Sequence, residues 1–355
     1  MTTDRARALF DRLPRLADLV PFTSLADGLP TPVEQKDSRL WVQREESTSS
    51  AYGGNKVRKF EFLFAVAERR GGPLVTAGGL GSHHVLAAAV HARRLGLDVD
   101  AVLYSQPVTD DVARTVADLD AIGNVHVTRI PSPYLMPAAV AARLAALAAR
   151  RPYLLWPGAS TPLGTLGYVS AGLELADAFT AADWPPPQIV VVPLGSGGTA
   201  VGTALGLALA GWHDTEVVAV RAADAVANNA GVLRALEAGT AALLAVAGWR
   251  PRPVRLHIAR QWFGGAYGRP TRAGDEATRI ADEMGLRLEP TYTAKAFAAA
   301  LDQLGRGRSV AFVQTFAGSS PSPGAALDSG SRAGSGSGSR AGSGSGSRAG
   351  SGPGE

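Results

Sequence analysis

The chain has 355 residues, of which 46% are hydrophobic, and its formal net charge is only +4. This length favours about two domains with a sizeable core, and the scattered charge argues against a nucleic-acid-binding surface. The absence of cysteine excludes disulfides, a thiol nucleophile and cysteine-ligated metal centres.

The N-terminal stretch, MTTDRARALFDRLPRL, alternates charged and apolar residues. It therefore lacks the apolar centre of a signal peptide. No stretch approaches the ~18 apolar residues that a membrane span needs. We expect a soluble, cytoplasmic protein with no membrane partner.

Short runs rich in valine, isoleucine and leucine alternate with longer alanine-rich segments. The short runs predict buried strands, because they are bounded by glycine or proline and are too short for helices. In chain order they are PLVTAG, DAVLYS, NVHVTRI, QIVVVPLG, EVVAVR and SVAFVQT. The longer segments have helical spacing, and they are VRKFEFLFAVAERR, HHVLAAAVHARRLG, VARTVADLDAIG, MPAAVAARLAALAARR and TAVGTALGLALAGW. This alternation predicts an α/β fold with parallel sheets and helices on both faces.

Lysine is scarce in a chain that otherwise uses arginine. Only Lys36, Lys56, Lys59 and Lys295 occur, and two of them fall in SAYGGNKVRKFEFLF, behind two glycines and an asparagine. A lysine at a helix start is ordinarily a solvated surface residue. This alternative stays open for Lys56 on its residues alone. Lys295 is expected on a helix surface, with a packing role as the alternative.

Two glycine-rich turns lead from a predicted strand into a predicted helix. GLGSHHVLAAAV places Ser82 near a helix N-cap. In GSGGTAVGTALG, Gly195, Gly197 and Gly198 allow backbone amides to approach an anion at the positive end of a helix. Both turns are candidate anion sites, and the second is suited to a single phosphate monoester.

The second turn also fits the loose G-x-G-x-x-G/A dinucleotide pattern, which is a weak signal on its own. An acidic residue is expected about 20 residues later, but Arg221 stands there. Since an arginine suits a 2′-phosphate, an NADP-binding oxidoreductase remains a distant alternative. A purely structural turn also stays open, whereas the Walker pattern is absent because no Gly-Lys-Ser/Thr follows.

A phosphate-binding turn combined with a rare lysine behind glycines points to pyridoxal 5′-phosphate. The aldehyde of this cofactor needs a primary amine for a Schiff base, and its phosphate needs such a turn. Lys56 supplies the amine in this hypothesis. Gly53 and Gly54 would let the cofactor ring lie close to the backbone.

The sequence resembles the family of 1-aminocyclopropane-1-carboxylate deaminase and D-cysteine desulfhydrase, which are pyridoxal-phosphate enzymes. The resemblance spans roughly 29–297 and is most specific at GGNKVRK. The other blocks occur in the family's order, and they are LPTPVEQ, VTAGGLGSHHVLAAAVHARRLGL, WPGASTPLGTLGYVSAGLEL, VVVPLGSGGTAVG, GGAYGRPT and LEPTYTAKAF. The resemblance implies the two-domain tryptophan-synthase-β-like fold (fold type II), with the cofactor in the interdomain cleft, and a homodimer.

The resemblance also assigns roles to residues. Lys56 is implied as the Schiff-base lysine and the base at the substrate Cα, and Ser82 faces the substrate carboxylate. Tyr267 and Tyr292 are implied to line the substrate side of the ring. The remaining implied cofactor-binding residues are Asn55, His83, Gly195, Ser196, Gly197, Gly198, Thr199 and Thr293.

The resemblance implies that Thr293 stands beside the pyridine nitrogen, at a position where the deaminase branch has glutamate. Threonine is neutral and cannot hold a proton on that nitrogen electrostatically. The resulting weaker electron sink suffices when a good leaving group sits on Cβ. We therefore expect D-cysteine desulfhydrase-like β-elimination that yields a keto acid and ammonia, ahead of cyclopropane ring opening.

Two positions depart from the family pattern. The family's Ser-Asn-His or Ser-Asn-Gln is replaced by Ser82-His83-His84, and Phe316 stands where a glycine is expected. His83 is predicted to stack on the cofactor ring or to hydrogen-bond its phenolic oxygen. It could also titrate near neutral pH or simply fill space. Phe316 is predicted to narrow the pocket or to shift its loop, so a cofactor-binding homologue with altered chemistry remains an alternative.

The resemblance predicts a larger cofactor-binding domain from 1–52 and 172–325, with a smaller α/β domain inserted at 53–171. From Ser331 the octet SRAGSGSG repeats, which predicts a disordered tail over 326–355. No metal site is expected, because the histidines at 83, 84 and 91 have no carboxylate at ligand spacing. The expected partner is a small amino-acid substrate.

Overall fold

The computed structural model describes residues 7–106, 108–224, 228–250, 252 and 254–318. The predicted repeat tail lies outside them. The strands are β1 (Val33–Asp37), β2 (Leu40–Gln43), β3 (Leu74–Gly79), β4 (Val99–Tyr104), β5 (Val125–Ile130), β6 (Tyr153–Leu154), β7 (Ile189–Leu194), β8 (Glu216–Arg221), β9 (Leu256–Ala259) and β10 (Val310–Val313). The helices are α1 (Arg7–Arg12), α2 (Pro14–Leu19), α3 (Lys56–Arg70), α4 (His83–Arg94), α5 (Asp110–Ile122), α6 (Met136–Ala146), α7 (Pro162–Ala181), α8 (Gly198–Leu209), α9 (Ala230–Val246), α10 (Arg272–Glu283) and α11 (Thr293–Gly305). Single 3₁₀ turns occur at Glu45–Ser47, Pro133–Leu135, Ala148–Arg150 and Pro157–Ala159.

The strands form two sheets, which confirms the predicted α/β class with parallel sheets. One sheet has six strands in the order β1-β2-β10-β7-β8-β9, and the other has four in the order β5-β4-β3-β6. Every described pairing is parallel except that of β1 with β2. The four-stranded sheet lies within 53–171, but the predicted division into two domains stays a prediction.

Strand β7 shows how the larger sheet is built. Val190, Val192 and Leu194 face a core shared with α7 and α8, whereas Ile189 and Val191 face a core shared with α10 and α11. A strand that is buried on both faces reads as a continuous apolar run, which explains why QIVVVPLG was recognisable. The carboxyl end of β7 opens directly into the second glycine-rich turn.

All six predicted strands fall on strands of the structure. Four others were not predicted from the sequence: β1, β2, β6 and β9. The sequence of β1, VEQKD, has one apolar residue and pairs at the sheet edge, while β6 contains two residues only. Within the described residues, no helix has the length and apolar character needed to cross a membrane.

Candidate active site

The glycines before Lys56 allow the chain to turn tightly against neighbouring backbone. A Cβ placed on Gly53 would lie only 1.8 Å from the carbonyl oxygen of Glu46. Gly54 has a φ of 111°, and a Cβ there would lie 3.1 Å from the carbonyl oxygen of Thr315. Both positions therefore require glycine, and the turn delivers Lys56 to the first position of α3.

Asn55 joins the amine of Lys56 to the second glycine-rich turn. Its side-chain oxygen accepts a hydrogen bond from Nζ of Lys56 at 2.7 Å, and its side-chain nitrogen donates to Oγ1 of Thr199 at 3.0 Å. Burial lowers the pKa of Lys56 from 10.5 to about 8, although Glu289 acts in the opposite direction. Near physiological pH a larger fraction of this amine is neutral than for an ordinary lysine, and nucleophilic catalysis requires the neutral form.

The second glycine-rich turn forms the N-terminus of α8. Gly197 has a φ of 97°, and the helix begins at Gly198. The N–H of Gly198 donates to Oγ of Ser160 at 3.0 Å, and this hydroxyl lies 2.7 Å from that of Ser196. Backbone amides and hydroxyls gathered at the positive end of a helix favour a bound anion.

Lys59 completes this anion site and was given no role from the sequence. Its side chain is only 2% exposed, and Nζ lies 3.3 Å from the carbonyl oxygen of Gly158 and 3.4 Å from Oγ of Ser160. No carboxylate pairs with it among the described residues. Burial and the charge of Lys56 lower its pKa well below the ordinary value. A buried ammonium without an anion is costly, so the site suits a phosphate.

The sequence feature that could have identified Lys59 as a site residue is its spacing, because it follows Lys56 by three residues. Residues three apart on a helix lie on the same side, and a Cβ on Gly198 would come within 3.1 Å of Nζ of Lys59. The same position would clash with Oγ of Ser160 at 2.6 Å. Ser160 gave no comparable signal, since it follows β6 and is distant in sequence from both α3 and α8.

Ser82 and His83 begin α4. Oγ of Ser82 caps the helix by accepting a long hydrogen bond, 3.4 Å, from the N–H of Val85. Amides in the first turn of a helix lack intrahelical partners, so this end is available to a carboxylate. Burial lowers the pKa of His83, which argues against titration near neutral pH. Nδ1 of His83 lies 2.8 Å from the hydroxyl of Tyr52, a residue that had no predicted role.

Tyr292 and Thr293 stand at the start of α11, around the buried carboxylate of Glu289. This carboxylate accepts the N–H groups of Thr291, Tyr292 and Thr293 at 2.6 to 2.9 Å. Burial raises the pKa of Glu289, while these amides and Lys56 act in the opposite direction. Oγ1 of Thr293 accepts from the N–H of Glu289 at 2.8 Å. The position beside the predicted pyridine nitrogen is thus a neutral hydroxyl, and the nearby acid is already hydrogen-bonded to backbone.

Tyr267 and Tyr292 lie together. Their rings are 6.0 Å apart in an edge-to-face arrangement, and Tyr267 is 47% exposed. A Cβ on Gly195 would approach Cε1 of Tyr292 to 3.1 Å, so this ring also borders the anion site. The expected surface position of Lys295 is wrong. Lys295 is fully buried, and Nζ donates to the carbonyl oxygen of Phe263 at 3.0 Å, which ties α11 to the segment that leads to Tyr267.

Phe316 occupies the space beside the glycine turn. Its Cδ2 lies 3.2 Å from the position of a Cβ on Gly54, and its ring lies 4.8 Å from that of His83. The side chain therefore fills space next to the turn that carries Lys56. His83, the other residue that departs from the family pattern, is thus in contact with Phe316.

The structure therefore gathers most of the predicted residues around one amine and one anion site. Pyridoxal phosphate fits this arrangement, because an amine with a lowered pKa, Lys56, lies three residues from a second buried lysine, Lys59, which borders the N-terminus of α8. Lys59 and the turn from Gly195 to Thr199 would hold its phosphate, and Lys56 would bond its aldehyde. No group of three or more potential metal ligands occurs in the described part of the chain.

Comparison with known proteins agrees with this fit. Residues 24–315 match the family described as pyridoxal-phosphate dependent enzyme. A D-cysteine desulfhydrase of Salmonella schwarzengrund is 32% identical over 306 residues, which are 84% of this chain and 90% of that protein. One from Salmonella paratyphi A is also 32% identical, over 309 residues with the same coverage.

Solved structures show the same architecture. The crystal structure of an ACC deaminase homologue superposes with a TM-score of 0.72 and is 26% identical, covering 89% of this chain and 96% of that one. Maize serine racemase has a TM-score of 0.58 at 16% identity, covers 92% of this chain and 97% of that one, and shows the fold alone. These findings confirm the fold-type-II architecture, and they do not favour the NADP-binding alternative.

Proposed function

Because the chain belongs to the pyridoxal-phosphate-dependent enzyme family, in which it is a lyase or deaminase, we propose that it catalyses β-elimination on D-cysteine or a similar small amino acid. Sulfide would leave from Cβ, nitrogen would leave as ammonia, and the oxygen of water would become the keto oxygen. The main support is the meeting of a low-pKa amine, Lys56, with the anion site around Lys59 and Gly198.

Each part of the site has a task in this proposal. When bound, pyridoxal phosphate supplies an aldehyde that bonds to an amine and a ring that withdraws electrons from Cα. The freed, neutral amine of Lys56 removes the proton from Cα. Ser82 and the amides that begin α4 hold the substrate carboxylate and orient the Cα–H bond toward this amine. Lys59 and the α8 N-terminus fix the phosphate, so the amine and the reacting carbon keep one relative position.

The desulfhydrase and deaminase reactions, which the relatives' names describe, differ in whether a group leaves Cβ. Thr293 places a neutral hydroxyl at the position assigned to the pyridine nitrogen, and the carboxylate of Glu289 is engaged by three amides. Electron withdrawal by the ring is therefore modest, and a good leaving group on Cβ is needed. Sulfide meets this requirement better than a strained carbon–carbon bond does.

Keto-acid release from a substrate panel tests the proposal. We expect turnover of D-cysteine and of β-chloro-D-alanine, little turnover of 1-aminocyclopropane-1-carboxylate, and none of D-alanine, which has no leaving group. L-cysteine tests the choice of enantiomer. Keto-acid formation from the cyclopropane substrate alone would assign the chain to ring opening instead, and no product from any member would contradict both reactions.

Thr293→Glu tests the role of the neutral hydroxyl. A carboxylate there would favour a protonated pyridine nitrogen, so we expect the ratio of D-cysteine turnover to cyclopropane turnover to fall by about tenfold, or about 1.4 kcal/mol of activation free energy. Thr293→Gln is the matched control, because it adds the same bulk without charge. Equal ratios in the two variants would show that charge at this position does not select the reaction.

We also propose that the protein is a homodimer in the cytoplasm. The resemblance supports the dimer, and an apolar surface near α6 offers one place for the contact. No side chain of α6 is buried although Arg143 is its only charged residue, and neighbouring Tyr134 is 92% exposed.

A further inference from the structure

Tyr52 directly precedes the glycine turn that carries Lys56, and α4 holds it at both ends. Nε2 of His91 lies 2.9 Å from the carbonyl oxygen of Tyr52, and Nδ1 of His83 lies 2.8 Å from its hydroxyl oxygen. The tyrosine side chain is buried, with 4% of its surface exposed. Two histidines two turns apart on one helix thus fix the residue that begins the turn.

The chemistry of these contacts places the protons. A carbonyl oxygen only accepts, so His91 donates from Nε2. Burial raises the pKa of Tyr52, so its hydroxyl keeps its proton, and His83 is its only hydrogen-bonding partner among the described residues. The hydroxyl therefore donates to Nδ1 of His83. This nitrogen then carries no proton, and the proton of the neutral imidazole sits on Nε2.

Phe316 packs against both Tyr52 and His83. Its ring stacks on Tyr52 with centroids 5.9 Å apart and an interplanar angle of 24°, and it lies 4.8 Å from the ring of His83. We call these three residues the Tyr52–His83–Phe316 cluster. The cluster borders Gly54, two residues before Lys56. Both unexpected residues of the sequence, His83 and Phe316, thus belong to one packed unit.

Burial is the main reason why the pKa of His83 is lowered and the imidazole stays neutral. Lys56 at the start of α3 and burial both lower its pKa, whereas Asp111 of α5 acts in the opposite direction. The remaining ring nitrogen, Nε2, makes no hydrogen bond to any residue that the structure describes. His83 therefore has one free donor.

We propose that Tyr52 is a positioning residue, which fixes His83 as the neutral Nε2–H tautomer so that it donates to the phenolic oxygen of pyridoxal phosphate. The acceptor rests on the proposed function, in which the phosphate is held by Lys59 and α8 and the substrate carboxylate by Ser82. The phenolic oxygen is then the anionic acceptor left for a donor beside Lys56. A histidine locked by a tyrosine would replace the amide donor that an asparagine supplies without help.

The tautomer is measured by ¹⁵N nuclear magnetic resonance of histidine-labelled protein, with His83→Asn used to assign the signal among the six histidines. In the cofactor-free protein we expect Nδ1 of His83 to be unprotonated and Nε2 protonated at and above neutral pH. Tyr52→Phe keeps the ring that stacks on Phe316 and removes only the hydroxyl, and it should give a mixture of tautomers. Tyr153→Phe is the matched control and should change nothing, because Tyr153 lies on β6 opposite Leu74, the first residue of β3, whereas α4 follows the last residue of that strand. A proton on Nδ1 in the unaltered protein overturns the proposal without any variant.

Cofactor affinity tests the acceptor. Loss of a fixed donor to a charged oxygen should weaken the apparent Kd for pyridoxal phosphate by about threefold to tenfold in Tyr52→Phe, with no change in Tyr153→Phe. Unchanged affinity in Tyr52→Phe contradicts this proposal and leaves the proposed function intact. Failure of the unaltered protein to bind pyridoxal phosphate contradicts the proposed function and the assigned acceptor together.

Discussion

Replacement of Lys56 by arginine is expected to abolish keto-acid formation from D-cysteine and to remove the covalent bond between the protein and pyridoxal phosphate. Arginine keeps the positive charge, but its guanidinium stays protonated and neither bonds an aldehyde nor accepts the Cα proton. Loss of a positioned base alone costs about 10²–10⁴-fold in rate. Turnover by steady-state assay and borohydride trapping followed by peptide mass analysis provide the two measurements.

Lys36→Arg is the matched control, since Lys36 lies in β1 and pairs with Glu34 at 2.7 Å, away from the site. This variant should keep both turnover and trapping. Trapping that persists in Lys56→Arg and moves to Lys59 would show that the wrong lysine has been assigned. Trapping that vanishes while turnover persists would contradict the role of Lys56 in removing the Cα proton.

In the cofactor-free protein, the amine of Lys56 should lose its proton at a lower pH than an ordinary lysine does. Burial lowers the pKa of Lys56 to about 8, so it is protonated below this pH and reactive above it. Modification by an acylating reagent should therefore rise through pH of about 8 at Lys56, whereas an ordinary lysine reacts fully only above about pH 10. A midpoint near that of Lys36 would show that burial does not lower the pKa.

The sequence predicted structure best where the pattern lies within a single strand or a single short turn. β7 and β8 are buried on both faces and read as continuous apolar runs, so their type and direction followed from composition. Lys56 was recognisable because a scarce lysine follows two glycines and an asparagine in one short stretch, although the backbone that requires those glycines belongs to Glu46 and Thr315. Local patterns of this kind need no knowledge of the rest of the chain.

Contacts between segments that are distant in sequence could not be predicted from local patterns of this kind. Ser160 contacts Lys59 of α3 and Gly198 of α8. These contacts depend on how the two sheets are arranged, because β6 before Ser160 and β7 before Gly198 belong to different sheets. Lys295 looked like a surface residue because its neighbours on α11 gave no sign that the carbonyl of Phe263 would reach it. The pairing of Tyr52 with His83 likewise depends on α4 packing beside the glycine turn.

Arg58 gives the largest expected effect on stability, and its surroundings explain why. Its guanidinium is 1% exposed and lies between two carboxylates, with hydrogen bonds of 2.7 Å to Glu45 and 2.8 Å to Glu174. Glu45 precedes the glycine turn, and Glu174 lies on α7. Arg58 follows Lys56 by two residues, so this ion-pair group anchors the same first turn of α3 that carries the reactive amine.

Arg58→Met is expected to lower the free energy of unfolding by about 3–5 kcal/mol, because it leaves two buried carboxylates without a counter-charge. Equilibrium denaturation in urea measures the change. Arg12→Met is the matched control, since Arg12 pairs with Asp177 at 3.0 Å on the surface, and its loss should cost at most about 1 kcal/mol.

A second variant separates charge from packing at this site. Adding Glu45→Gln and Glu174→Gln to Arg58→Met removes the unpaired charges while keeping the volumes of both carboxylate side chains, so much of the lost stability should return. Recovery would attribute the cost to buried charge and would predict partial return of Lys56 to its place, read out as restored borohydride trapping. A triple variant as unstable as Arg58→Met would instead assign the cost to lost packing and hydrogen bonds between α3, α7 and the segment before the glycine turn.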